Sequence, residues 1–230
     1  MKPILTLTLN PAIDQVIELE RLVVGSMNRA LSSNPMTGGK GINVARVLKG
    51  FGLEVLAAGF SAGNGTEMIH RTLEAEGIPA HFIEVPGEVR VNLKMHDAAD
   101  GKTTEVNQPG FTVDEDATEQ LLSRVESLLE VSSALVLTGS LPGGMTRTAY
   151  LVLAQLAWNR NIPVFLDADG ENLEMGLSGH PYAVKPNRDE LERYAGCHVE
   201  TEADWVHAMR RFKGSGAEFI AATMACGPPG

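Results

Sequence analysis

The chain has 230 residues, 43% of them hydrophobic and 21% charged, and a formal net charge of −10. That describes one large domain, or one domain with a small appendage, that buries a real core. No Lys- or Arg-rich run offsets the acidity, so nucleic acid is not the expected partner, although a positive pocket can still exist locally. Two cysteines, Cys197 and Cys226, lack the spacing of a zinc site and make no disulfide framework, and they read as incidental thiols. The start of the chain is too short and too alternating for a signal peptide. No apolar run approaches the ~20 residues that span a bilayer. The expectation is a soluble cytoplasmic protein with no membrane contact.

In chain order, Ile4 to Leu9 reads as a strand, stopped by Asn10-Pro11 because Pro11 has no amide hydrogen to donate. Two extended pieces follow, around Gln15–Leu19 and Asn28–Leu31, with the alternation of strands that have one wet face. Ile42, Ala45, Leu48 and Phe51 predict a helix ending near Gly52. A strand over Glu54–Ala58, a helix over Thr66–Glu76 and a strand over His81–Val85 come next. Residues 89–96 and 103–107 predict a second exposed hairpin, turned at Asp100-Gly101. Helices are expected over Asp114–Glu130, Thr146–Arg160, Arg188–Ala195 and Glu202–Lys213. Strands are expected over Ala134–Thr138, Pro163–Asp167, Tyr182–Lys185 and Glu218–Ala222. Apolar strands alternating with helices predict an α/β fold, a mostly parallel sheet between helices. The two wet hairpins predict a small antiparallel β lid beside it, with strands at about 15–35 and 89–108.

Ligands of such sheets sit beyond the carboxyl ends of the strands, and five unusual segments fall there. Asp14 follows the first strand, where a carboxylate can accept from hydroxyls or merely hold a turn. Thr37-Gly38-Gly39-Lys40-Gly41-Ile42-Asn43 lets the backbone come close to a ligand at a helix N-terminus. It has neither the Walker A nor the dinucleotide-binding spacing. Arg90, Asn92 and Lys94 alternate on one strand face, as an anion clamp or a solvated charged face. Glu105, Asn107 and Pro109-Gly110 stand on the facing strand. Gly139-Ser140-Leu141-Pro142-Gly143-Gly144 reads as a backbone nest or a plain loop. In Lys185-Pro186-Asn187-Arg188-Asp189-Glu190-Leu191, Asn187 and Glu190 have capping-box spacing. The same pair, with Asp167, is also suited to a hydrated Mg²⁺.

In combination, Thr8-Leu9-Asn10-Pro11-Ala12-Ile13-Asp14, Gly38 to Ala45, Gly139 to Pro142 and Val184 to Leu191 resemble the ribokinase-like sugar kinases of the phosphofructokinase-B branch. The resemblance runs from about residue 4 to about residue 222. Arg90 to Lys94 and Val184 to Leu191 make the chain most similar to the bacterial 1-phosphofructokinases within that branch. It implies a three-layer fold and ATP-dependent phosphorylation of a sugar phosphate, with fructose 1-phosphate as the expected acceptor. Tagatose 6-phosphate and fructose 6-phosphate are the alternatives. It implies that Asp14, Gly38, Gly39 and Asn43 bind sugar hydroxyls and that Arg90, Lys40, Lys94 and Asn107 hold the sugar phosphate. Ser140 would lie near the phosphate path. Lys185, Asn187, Glu190, Asp167 and Thr223 would serve ATP and Mg²⁺, Glu190 and Asn187 reaching the metal through water. The lid would pair with its copy in a homodimer, with Arg29 as a cation reaching across it.

The family's base is the aspartate of a Gly-Ala-Gly-Asp motif downstream of Lys-Pro-Asn, and this sequence does not contain that motif. No catalytic residue is therefore assigned. The expectation is a kinase domain over 1–230, C-terminally incomplete, that forms much of the sugar site and lacks part of the ATP site. A catalytically dead sugar-phosphate-binding protein is the competing reading from another class.

Overall fold

The computed structural model describes residues 2–213 and 216–223; Cys226 and the Gly214-Ser215 pair lie outside them. The chain runs β1 (Ile4–Thr8), β2 (Ala12–Leu19), β3 (Ala30–Gly38), α1 (Lys40–Gly50), β4 (Val55–Ala62), α2 (Gly63–Ala75) and β5 (Ala80–Val85). It continues with β6 (Arg90–Asp97), β7 (Lys102–Val106), α3 (Glu115–Leu129), β8 (Ala134–Thr138), α4 (Ala149–Trp158), β9 (Val164–Asp167) and α5 (Gly170–Leu177). The last elements are β10 (Ala183–Val184), α6 (Arg188–Ala195), α7 (Glu202–Lys213) and β11 (Phe219–Ile220). A 7-stranded sheet has the order β11-β10-β9-β8-β1-β4-β5, and every pairing in it is parallel. Its central strands are buried on both faces: Leu5, Thr6, Leu7, Leu135 and Leu137 have at most 1% of their surface exposed.

The order of the strands fixes where the helices go. Right-handed crossovers place α1 and α2 on one face as the chain moves from β1 to β4 and β5. The reversal from β5 back to β8 and outward to β11 places α3 to α7 on the opposite face. The first face therefore carries no helix over β8 to β11 among the described residues. An apolar groove of about 460 Å³ lies there, walled by Val44 and Leu48 of α1 and floored by Ile4, Val136, Phe165 and Ala183. Phe165 lines it, 39% exposed, and an aromatic row continues beyond it through Tyr182 to Phe219, 56% exposed, with ring centroids 5.6 and 4.9 Å apart.

The second sheet is four-stranded, in the order β3-β2-β6-β7. The hairpins β2/β3 and β6/β7 are antiparallel, but β2 and β6 pair in parallel, Asp14 against Asn92 and Val16 against Lys94. The lid is thus mixed rather than antiparallel. Both hairpins leave the core at the same edge, so their outgoing strands lie side by side and run the same way.

Two further differences from the sequence reading have local causes. The strand expected over Glu54–Ala58 runs on to Ala62, because Gly59 is a close-approach residue and not a turn: a Cβ there would sit 1.9 Å from the Thr8 carbonyl oxygen. Helix α5 was not expected, since Gly170, Asn172 and Gly176 disfavour helix. Packing overrides propensity here: Leu173 and Leu177 are buried, and Gly176 lies so close to the Leu166 side chain that a Cβ would come within 2.7 Å of it.

Exposed aromatic surface of this extent binds apolar dyes. The chain is expected to enhance the fluorescence of anilinonaphthalene sulfonate. Phe165→Ser combined with Phe219→Ser should lower that signal by roughly half, because the substitutions remove the groove's aromatic ring and the more exposed end of the adjoining aromatic row. An unchanged signal would locate the dye elsewhere.

Candidate active site

A polar pocket of about 330 Å³ opens between the carboxyl ends of β1 and β8, the N-terminus of α1 and the inner face of the lid. Asp14, Gly39, Lys40, Asn43, Arg90, Lys94, Asn107 and Ser140 all line it. Residues far apart in sequence meet here because both lid hairpins fold over the strand ends.

Asp14 anchors the lid wall. Its Oδ2 accepts from Lys94 Nζ at 2.8 Å and its Oδ1 from Asn92 Nδ2 at 3.1 Å. Lys94 and Asn92 share a face of β6 because they are two residues apart. Gly38 does not line the pocket itself; it makes room for this carboxylate, since a Cβ there would come within 2.8 Å of Asp14 Cγ. Gly39 takes φ +112 ahead of α1, and no side chain caps that helix. The first amides of α1 thus stay open beside Lys40 and Asn43, an arrangement suited to phosphate or hydroxyl oxygens.

Arg90 closes the opposite side. Its NH2 donates to the Asn10 carbonyl and to Ser140 Oγ, both at 3.1 Å, and its NH1 to the Gln108 carbonyl at 3.1 Å. Burial pushes the guanidinium pKa below its ordinary value, with Asp14 opposing the shift. A cation held this way is a fixed charge rather than a solvated one. Asn10 Nδ2 donates to the Pro109 and Leu141 carbonyls at 2.9 and 3.2 Å, tying the first strand end to the two loops that flank Arg90. The Gly139-Ser140 loop is held from below by Tyr150, a fully buried residue whose hydroxyl donates to the Gly139 carbonyl at 3.0 Å.

Six buried side-chain N or O atoms lack a hydrogen-bond partner among the described residues, and four belong to this pocket: Thr8 Oγ1, Asn10 Oδ1, Arg90 Nε and Asn92 Oδ1. Buried polar atoms are normally paired, and each exception calls for a partner such as water, an ion or a ligand.

The residues expected on the nucleotide side do not enter this pocket. Asn187 and Glu190 form a complete capping box on α6: Glu190 N–H donates to Asn187 Oδ1 at 2.9 Å and Asn187 N–H to Glu190 Oε2 at 2.8 Å. Thr223 pairs beside them, its N–H donating to the Pro186 carbonyl at 3.0 Å. Lys185 Nζ lies 3.1 Å from Asp167 Oδ1, and Thr138 Oγ1 donates to Asp167 Oδ2 at 3.3 Å. Because Thr138 lines the pocket, this chain links Lys185 to its rim. Thr138 and Asp169 are lining residues that the sequence reading did not single out. Asp169 escaped because it sits at the start of the unexpected α5, and Thr138 because it read only as the end of a buried strand. Arg29 is exposed at the tip of the lid, just before β3.

Known proteins share this fold. The model of the pfkB family of carbohydrate kinases matches residues 7–225. A 1-phosphofructokinase of Xanthomonas campestris pv. campestris is 35% identical over 224 residues, covering 96% of this chain and 70% of that protein. A tagatose-6-phosphate kinase of Staphylococcus epidermidis is 34% identical over 192 residues, covering 83% of this chain and 61% of the relative. The solved structure of phosphofructokinase-2 from Escherichia coli in complex with fructose-6-phosphate superposes with a TM-score of 0.90 at 29% identity, covering 98% of this chain and 75% of that one. A parallel sheet with a β lid over a polar, cation-bearing pocket is the build of a ribokinase-like sugar kinase. The chain belongs to the pfkB family of carbohydrate kinases, which are ATP-dependent phosphotransferases.

The seating of Asp14 over Gly38 gives a sharp test. In Gly38→Ala the new methyl must displace the carboxylate, and sugar-phosphate affinity should fall roughly 10- to 100-fold, the worth of a hydrogen bond to a charged group. Calorimetric titration measures this. The melting temperature should fall as well, because moving Asp14 disturbs its bonds to Asn92 and Lys94.

Proposed function

We propose that the pocket binds fructose 1-phosphate and that the protein's reaction is its ATP-dependent phosphorylation to fructose 1,6-bisphosphate. The carrying observation is the chemistry that meets in one cavity: Asp14 and Asn43, suited to hydroxyls, line the same pocket as the cations Arg90, Lys40 and Lys94, suited to a phosphate. In the reaction the acceptor hydroxyl oxygen forms a bond to the γ-phosphorus of ATP while the bond to the ADP oxygen breaks, and the hydroxyl proton is released to solvent. Positioning and charge neutralisation supply most of the acceleration. Arg90 is already fixed by three hydrogen bonds, so it needs no reorganisation to meet a phosphate. Lys94 and Asn107 extend the cationic and amide side, and Ser140 borders the phosphate path.

On the nucleotide side, Lys185 supplies a cation, and Asp167, Asn187, Glu190 and Thr223 supply oxygen donors. These fit a hydrated Mg²⁺: the capping box uses Glu190 Oε2 and leaves the second oxygen for a metal-bound water. When bound, Mg²⁺ neutralises the phosphate charge. Asn187 serves mainly to hold α6 in place, so its contribution is to aim Glu190.

The assay is ADP release with MgATP and a panel of sugar phosphates. Fructose 1-phosphate should be the preferred acceptor, with turnover of roughly 1–100 per second for a complete kinase site. Preference for tagatose 6-phosphate or fructose 6-phosphate would support the second reading, which the relatives of those names favour. Tight binding without turnover would make the chain a sugar-phosphate-binding protein.

We also propose a homodimer through the lid. Val24, Met27 and Leu31 are 93%, 83% and 68% exposed at its outer end, an apolar edge of the kind that marks association surfaces. Sedimentation should give a dimer for the unmodified chain and a monomer for Met27→Glu combined with Leu31→Glu. A monomer in both would remove the proposal.

A further inference from the structure

A second pocket, of about 220 Å³, lies at the opposite end of the large sheet from the candidate active site, where β9, β10 and β11 begin. Trp158, Asn161, His180, Tyr182 and Glu218 line it. The fold brings them together because two helices end there. Asn161 and His180 take left-handed φ values of 56 and 54 just after α4 and α5, the conformation that commonly follows a helix C-terminus. Trp158, the last residue of α4, is 59% exposed, and its ring centroid lies 5.6 Å from that of His180. Tyr182 immediately precedes β10, and Glu218 immediately precedes β11.

The carboxylate and the helix dipoles here share one sign. The C-termini of α4 and α5 are the negative ends of their dipoles, and neither helix has a basic residue in its last turn. Glu218 adds a carboxylate with no ion pair among the described residues. No Lys or Arg lines the pocket, and Arg160 beside it is turned away to the Leu156 carbonyl and Glu126. The faces of Trp158 and Tyr182 attract cations through their ring quadrupoles. The described residues form no metal-ligating cluster, so the cation that fits is organic. A quaternary ammonium has no N–H to offer Glu218 or the Asn161 amide oxygen. A guanidinium is planar, stacks on an aromatic face and donates to both oxygens of a carboxylate. We propose that this pocket binds a guanidinium group, stacked on Trp158 and hydrogen-bonded to Glu218, at a site separate from the kinase pocket. The group belongs to a free guanidino compound or to the arginine of a peptide, which share this chemistry.

The test is a saturation-transfer NMR titration with methylguanidinium, its neutral isostere methylurea, and choline. Methylguanidinium should bind saturably and more tightly than choline, and methylurea should not bind. Trp158→Ala should weaken methylguanidinium roughly 2- to 30-fold, and Glu218→Gln roughly 2- to 5-fold. Both side chains are exposed, so neither change should move the melting temperature by more than a degree or two. Unchanged affinity in both variants overturns the proposal, because a chain of net charge −10 also gathers cations without a site. Methylurea or choline binding as tightly as methylguanidinium overturns it too. Acetyl-arginine amide and free L-arginine separate the sources: tighter binding of the capped residue assigns the site to a peptide, tighter binding of the free amino acid to a small molecule, and both support it. Should Trp158→Ala not fold, Trp158→Leu carries the same comparison. None of these outcomes bears on the sugar-phosphate reading of the other pocket.

Discussion

The site is organised around one carboxylate. Asp14 lies on β2, at the point where the two lid hairpins and the glycine turn before α1 meet. Lys94 and Asn92 reach it from β6, and the bare backbone of Gly38 lets it lie flat against β3. Its side chain is only 15% exposed, so the ion pair with Lys94 is partly shielded from water and helps hold β2 in register with β6. Displacing that carboxylate disturbs the joint between the two hairpins and the Lys94 cation at once.

The parallel pairing of β2 and β6 makes this hub possible. In a fully antiparallel lid the outgoing strand of one hairpin would pair with the returning strand of the other, and Asp14 would not face Asn92. The mixed lid brings both outgoing strands together at their bases, next to the strand ends of the core. Period-two alternation then turns Asp14, Asn92 and Lys94 toward one cavity. Arg90, at the base of β6, reaches back to Asn10 and Ser140, so the lid is tied to the core at its root while its outer end stays exposed. A lid fastened at its base is suited to closing over a ligand.

The pocket and the nucleotide-side residues are joined through Thr138, Asp167 and Lys185, which lie on adjacent strands β8, β9 and on the residue after β10. Such a row of strand ends lets groups on separate elements act on one phosphate path without sharing a loop. The apolar groove on the uncovered half-face begins at the same row, since Asp167 and Lys185 also border it. The chain spans about 70% of the length of the 1-phosphofructokinase that it matches.

Much of this was legible in the amino-acid order. Strands β8 and helices α6 and α7 fall where periodicity places them, because long apolar stripes and clear caps are local properties. The glycine run, Asp14 and the alternating Arg90, Asn92 and Lys94 were visible as unusual chemistry at strand ends. Tertiary structure alone decided three things. It made α5 a helix against its glycines, because Leu173 and Leu177 had a core to enter. It chose a mixed lid, because the outgoing strands β2 and β6 of the two hairpins pair side by side. It gave Asn187 and Glu190 to each other as a helix cap, and gave Asn92 to Asp14. A sequence names the donors and acceptors a chain owns; only the packed fold settles which of them pair with one another, because partners such as Asp14 and Asn92 are brought together by strand pairing and not by nearness in the chain.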